Sequence, residues 1–260
     1  MQKRVCAIKS FKVDKLHINV YQNRKDMGQA AGEAVAAKIK QLLTIQEKVS
    51  VIFASAFSQE EFLTALSVVS GIDWSKVVAF HMDEYIGLPK NHPQLFGNWL
   101  ERKIFNKVNP GKIYFINGNA NPPETEITRY TNLLKDNPPD ITCLGIGENG
   151  HIAFNDPEFA DFNDPFFIKI VEPDATSRLQ QVHDGCFKTF EEVPTRAFTL
   201  TIPALISAKW VYCTVPGPTK KAAVSKTVKG EISTDCPATI LRRHENAVLY
   251  LDADSAREIN

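Results

Sequence analysis

Short apolar, β-branched runs alternate along this chain with amphipathic stretches of helix length. Met27–Leu43 is alanine-rich with apolar residues at helical spacing, and Val49–Ala54 after it is a run of strand length. The same reading predicts helices over Gln59–Ser70, Leu95–Lys107, Glu124–Asp136, Thr219–Val228 and Ala238–Arg243. It predicts strands at Val77–His81, Ile113–Ile116, Ile141–Ile146, Phe167–Val171, Ala197–Ile202, Trp210–Val215 and Ala247–Leu251, with a loop-rich middle before the fifth helix. Strands that are apolar throughout and separated by helices imply a parallel sheet covered on both faces. The expected class is α/β. No repeat, low-complexity tract or Pro/Gly linker divides the chain, so residues 1–260 read as one domain, with 1–20 as an N-terminal extension.

Composition narrows the function classes. Thirty Lys+Arg balance thirty Asp+Glu, which argues against a basic nucleic-acid face and a polybasic membrane anchor. No window approaches the roughly 18–20 apolar residues of a membrane span, and the first twenty residues hold no apolar stretch of signal-peptide length. The five cysteines, Cys6, Cys143, Cys186, Cys213 and Cys236, form no C-x-x-C pair. Reduced thiols in a cytoplasmic protein are expected, with no metal site. The partner to look for is a small molecule.

In a parallel sheet, ligands bind beyond the carboxyl ends of strands, so the residues after each strand carry the candidate chemistry. Ser55-Ala56-Phe57-Ser58 places two hydroxyls at a helix start, where they either cap it or help bind an anion. Met82-Asp83-Glu84-Tyr85 sets two carboxylates at a strand end; one can act as a general base, or Asp83 caps the next segment with Glu84 in a surface ion pair. The densest cluster is Gly145-Ile146-Gly147-Glu148-Asn149-Gly150-His151, followed by Ile152-Ala153-Phe154-Asn155-Asp156-Pro157. Its glycines allow close backbone approach, and Asn149 and Asp156 can hold the tautomer of His151. Lys220 or Lys221 opens a helix, where a cation opposes the helix dipole by roughly a few tenths of a kcal/mol; reaching for a phosphate would explain one of them. Together these suggest proton transfer on a small anionic substrate. No G-x-S-x-G elbow or dinucleotide fingerprint accompanies them.

The segments Met82–Pro89 and Gly145–Pro157 closely resemble the glucosamine-6-phosphate deaminase (isomerase) family, related to the 6-phosphogluconolactonases, with similarity from about Met27 to Leu251. The resemblance implies a Rossmann-like domain and a cofactor-free aldose–ketose isomerisation coupled to loss of ammonia. It implies Asp83 as the general base between C2 and C1, His151 as the residue that helps open the sugar ring, and Asn149 and Asp156 as its companions. It implies Lys220, Ser55 and Ser58 as the phosphate site. Other readings are a deaminase for a different amino sugar, a lactonase, and a non-catalytic sugar-phosphate-binding regulator.

The chain departs from the family pattern at several places. Asp156 stands where the family usually has Glu, and Asn149 where some members have Asp. Ala56, Phe57 and Gln59 replace two glycines and a proline of the phosphate loop, which should leave that backbone less free at positive φ. The family's phosphate-binding arginine falls near Arg178 or His183. The chain ends soon after its last strand, so the allosteric regulation of longer relatives is not expected. The oligomeric state, monomer or homo-oligomer, stays open.

Overall fold

The computed structural model describes residues 5–259. The chain opens with a hairpin, β1 (Lys9–Val13) and β2 (Leu16–Tyr21), and continues into α1 (Arg24–Leu43). Next come β3 (Val49–Phe53), a 3-10 turn at Phe57–Gln59 leading into α2 (Glu60–Val68), β4 (Val77–His81) and the short β5 (Asp83–Tyr85). Helix α3 (Phe96–Leu100) runs through a π-turn at Glu101–Phe105 into α4 (Asn106–Val108), and β6 (Lys112–Tyr114), α5 (Pro123–Asp136) and β7 (Ile141–Leu144) follow. The last part holds β8 (Ile168–Val171), α6 (Ala175–His183), β9 (Ala197–Leu200), α7 (Ile202–Ile206), β10 (Trp210–Val215), α8 (Lys221–Lys229) and β11 (Ala247–Asp252). Ala238–Arg243, expected as a short helix, lies in a 3-10 segment that starts at Pro237.

Eight strands form the main sheet in the order β1-β2-β11-β10-β7-β3-β4-β6, parallel except for the β1–β2 hairpin. The expected mostly parallel sheet is thus present. Residues read as an N-terminal extension are instead part of it: β2 pairs in parallel with β11, Ile18 opposite Leu249. Strand side chains alternate between the two faces. Val49, Val51 and Phe53 of β3 join the apolar layer made with α1, α2 and the helical stretch 96–108, whereas Ile52 joins the layer with α5 and α8. A second, three-stranded antiparallel sheet, β5-β9-β8, is an addition the sequence pattern did not anticipate.

The strand order places the site. From β3 the chain moves outward through β4 to β6, then returns to the other side of β3 for β7, β10 and β11. The direction reverses between β3 and β7, and a crevice opens beyond the carboxyl ends of strands at such a switch point.

Candidate active site

A small open cleft, with an internal volume of about 60 Å³, sits at this reversal. It is lined by Ser55, Ser58 and Gln59 after β3, Asp83 after β4, Gly145 and Gly147 after β7, then His151 and Ala153, with Gln180 and Gln181 of α6 closing one side.

The chain leaves β4 at His81, bends at Met82 and enters the second sheet, where Asp83 pairs with Thr199 of β9. The two adjacent carboxylates thereby separate in role. Glu84 is 3% exposed and accepts three backbone N–H groups, from Tyr85 (2.9 Å), Phe96 (3.0 Å) and Gly97 (3.0 Å), two of them at the start of α3. Burial nonetheless pushes its carboxyl up to about 7. Glu84 is therefore the buried anchor of α3, and the surface ion pair considered for it is not formed. Asp83 caps nothing: its Oδ1 is buried without a hydrogen-bond partner. Burial, then the neighbouring Glu84, raises its carboxyl well above the usual range. A poorly solvated carboxylate of this kind is a stronger base than an exposed one.

His151 is held from behind by a polar network. Its Nδ1 lies 2.7 Å from Asn149 Oδ1, 2.7 Å from Ser177 Oγ and 3.0 Å from Asp156 Oδ1. Asn149 donates its amide hydrogens to two carboxylates, Asp156 (2.9 Å) and Asp174 (2.8 Å). Carboxylates only accept, so the amide cannot be flipped and its oxygen must face the imidazole. The ring proton then resides on Nδ1, leaving Nε2 for a ligand. An Asp at 149 would put a third carboxylate against these two, which accounts for the amide here. The missing charge is supplied by Asp156. Burial opposes its ionisation, but bonds from and the charge of His151, with bonds from Asn149 and Ser177, hold it down at about 2.

The loop 147–156 is shaped for this ring. A Cβ at Gly147 would stand 2.0 Å from His151 Cε1 and 2.1 Å from Nε2. Ala153 sits in the left-handed region at φ 51°, strain that persists at a functional site when its surroundings enforce it. Asn155 bonds Ile152 O and Leu200 O, and Phe154 N–H donates to Thr199 Oγ1, so β9 ties this loop to the strand bearing Asp83. We expect Gly147→Ala to fold with an unchanged far-UV spectrum while turnover falls about 10²-fold, the scale of a small displacement of a reacting group. Turnover within a factor of two would show that the ring's seat on Gly147 is dispensable.

The hydroxyl loop differs from expectation in a favourable way. None of residues 55–59 has positive φ, and Ala56 is extended at φ −154°, so the absent glycines cost this backbone nothing. Ser55 donates to Phe96 O (3.2 Å) and Ser58 accepts from Gln59 (3.3 Å). Gln59 stands in place of the proline and clamps the loop to β10: Thr214 Oγ1 donates to its Oε1 (2.8 Å) and its Nε2 donates to Thr214 O (3.2 Å). No pattern around Gln59 or Thr214 announced this pair, which is 155 residues apart.

Of the cationic candidates, Lys220 is 5% exposed and its Nζ has no hydrogen-bond partner, whereas Lys221 faces outward to Glu258. Burial lowers the Lys220 ammonium to about 8, against the pull of Asp184 and Glu148. Gln180 touches both of those residues, through Asp184 Oδ2 and the Glu148 N–H, which links the surroundings of Lys220 to α6, but Lys220 itself is not among the residues that line the cleft. Arg178 and His183 do not line it. The Arg178 guanidinium lies over the Phe190 ring and bonds the carbonyls of Phe190 and Val193, both at 2.9 Å. His183 is turned outward toward Glu148 at 3.6 Å, its side chain 59% exposed. Helix periodicity is the reason: Ser177, Gln180 and Gln181 occupy the inner face of α6, and 178 and 183 fall off it. Among the described residues no cluster of three or more His, Cys, Asp or Glu is arranged to hold a metal, and no helix is long and apolar enough to cross a membrane.

Fold and site together define an α/β enzyme with a cleft lined by a carboxylate and a histidine at the switch point of its sheet. Residues 22–250 match the family model of the glucosamine-6-phosphate isomerases/6-phosphogluconolactonases. The chain belongs to this family. It is 32% identical over 226 residues to a glucosamine-6-phosphate deaminase of Listeria monocytogenes serotype 4a (strain HCC23), covering 87% of this chain and 94% of the relative. The solved structure of a monomeric glucosamine-6-phosphate deaminase superposes with a TM-score of 0.85 at 26% identity, covering 93% of this chain and 99% of that one. A 6-phosphogluconolactonase from Thermotoga maritima shares the fold, with a TM-score of 0.75 at 19% identity over 92% of this chain and all of the other.

Proposed function

We propose that this protein converts D-glucosamine 6-phosphate and water to D-fructose 6-phosphate and ammonia. The observation that carries the reading is the pairing, across one cleft, of an unpartnered buried carboxylate, Asp83, with a histidine whose Nδ1–H is fixed by Asn149 and Asp156. His151 Nε2 takes the proton of the anomeric hydroxyl and delivers it to the ring oxygen as the C1–O5 bond breaks. Asp83 then removes the C2 proton of the open-chain amino sugar and returns it to C1. The resulting C2 imine adds water and expels ammonia, so atoms balance without an oxidant or cofactor.

Lys220 supplies the charge for the 6-phosphate, with Ser55, Ser58 and the N–H groups leading α2 as neutral donors. The N-terminal groups of a helix lack intrahelical partners and suit an anion. Asp252 helps place Lys220: its two carboxylate oxygens accept the Gly217 N–H at 3.1 Å each, ordering the turn that carries the lysine. We read residues 1–260 as one catalytic unit. A cytoplasmic setting is consistent with five unpaired cysteines.

The test is an ammonia-release assay across amino-sugar 6-phosphates, their unphosphorylated forms and 6-phosphogluconolactone. Ammonia and fructose 6-phosphate from glucosamine 6-phosphate in equal amounts are expected. Lactone hydrolysis without ammonia, or binding without turnover, would overturn the assignment.

A further inference from the structure

The first turn of α6 is bound to the His151 network more closely than any packing role requires. Asp174, its N-cap, accepts from Ser177 N–H at 2.7 Å and from Asn149 at 2.8 Å, and its own N–H donates to Asp156 Oδ2 at 3.0 Å. Ser177 is 1% exposed, and its hydroxyl touches both His151 Nδ1 (2.7 Å) and Asp156 Oδ1. A hydroxyl has one proton to give. Asp156 is an ionised acceptor, so that proton goes to the carboxylate, and the oxygen meets the imidazole with a lone pair. Nδ1 must then be the protonated nitrogen. Ser177 thus favours the same tautomer as Asn149, from a different element, the single Nδ1–H being shared between the two oxygens.

We propose that Ser177 is a positioning residue for His151, bridging the imidazole to the short carboxylate of Asp156 and making the seating of α6 a condition for its orientation. The direct contact of Asp156 with Nδ1 is the longest of the three at 3.0 Å; the hydroxyl supplies the second link. The same helix presents Gln180 and Gln181 to the cleft. Contact of a substrate with these amides is therefore transmitted, within one turn, to the nitrogen opposite the one that does the chemistry. The kinetic part of this inference rests on the deaminase reading; the placement of the ring proton does not.

Two measurements test it. In ammonia release, Ser177→Ala is expected to lower kcat about 10-fold or more with KM within about two-fold, the pattern of a group acting on the reaction rather than on ground-state binding. Because Ser177 acts through the His151–Asp156 couple, adding it to Asp156→Asn should slow the enzyme by no more than about two-fold further. Losses that multiply, or an effect confined to KM, would overturn the proposal. Separately, ¹⁵N NMR of the ligand-free, histidine-labelled protein, with the ring assigned by its loss in His151→Gln, should show the proton on Nδ1. A ring protonated on Nε2 sinks the bridge even if the substrate is as proposed. No ammonia from any amino sugar, with the proton on Nδ1, would reject the deaminase reading and leave the bridge standing.

Discussion

Asp83→Asn is expected to abolish nearly all ammonia release, with kcat falling about 10²–10⁴-fold, the usual contribution of a positioned acid–base group. The amide is isosteric but cannot take a proton from C2. KM should move little, because Asp83 acts on the proton being transferred and not on the phosphate. The fold should not suffer. Asp83 Oδ1 has no partner to lose, and an uncharged amide removes the burial and Glu84 repulsion that raise the carboxyl in the wild type. Thermal stability is therefore expected to be equal or higher, which separates loss of chemistry from loss of structure. Turnover above a tenth of wild type would remove Asp83 from the role of base. Glu84→Gln gives the contrast: its effect should fall on stability, since three backbone N–H groups converge on that carboxylate.

Lys220→Met should raise KM for glucosamine 6-phosphate about 10- to 100-fold, as expected for one hydrogen bond to a charged group. The KM for unphosphorylated glucosamine should be unaffected. The substitution replaces a buried, unpartnered ammonium by an apolar side chain of similar length, so the melting temperature should rise. pH dependence gives a second readout. In the free enzyme the ammonium is charged below about 8 and neutral above it. For the wild type, kcat/KM with the phosphorylated substrate should therefore fall as pH rises through about 8, and Lys220→Met should lack that limb. Stability runs the other way. The folded-state value lies below the usual 10.5, so between about 8 and 10.5 the unfolded chain holds the extra proton, and Lys220 costs the fold progressively less as pH rises. A kcat/KM limb that persists in Lys220→Met would assign it to another group.

How much of this was legible before the fold is clearest in two helices. The alanine-rich stretch at Met27–Leu43 announces α1, because Met27, Ala31, Val35 and Ile39 recur on one buried face. Helix α6 announces nothing: its buried residues are Ser177 and Gln180, so it has no apolar stripe for periodicity to find. In the N-terminal hairpin Leu16, Ile18 and Val20 alternate with His17 and Asn19, a period-2 signal too short to set a sheet strand apart from an extension. β5, three residues long, is below the length at which alternation carries information.

The candidate site divides along the same line. Local chemistry is written in the chain: a carboxylate pair after one strand, a glycine-bounded histidine after another, hydroxyls after a third. Residue order also implies the parallel sheet that brings those strand ends to one edge. What sequence alone left open is the direction each polar side chain takes. Asp83 faces the cleft because Glu84 is captured by α3. Arg178 turns away because Phe190 and Val193 offer it carbonyls, and Lys220 is drawn inward beside Asp184 and Glu148. Gln59 finds Thr214, and Ser177 finds His151, only after distant strands and helices have been packed together. Backbone class follows from local periodicity, which a linear string carries. The partner of a polar group is set by who stands within about 3 Å, and only the tertiary structure decides that.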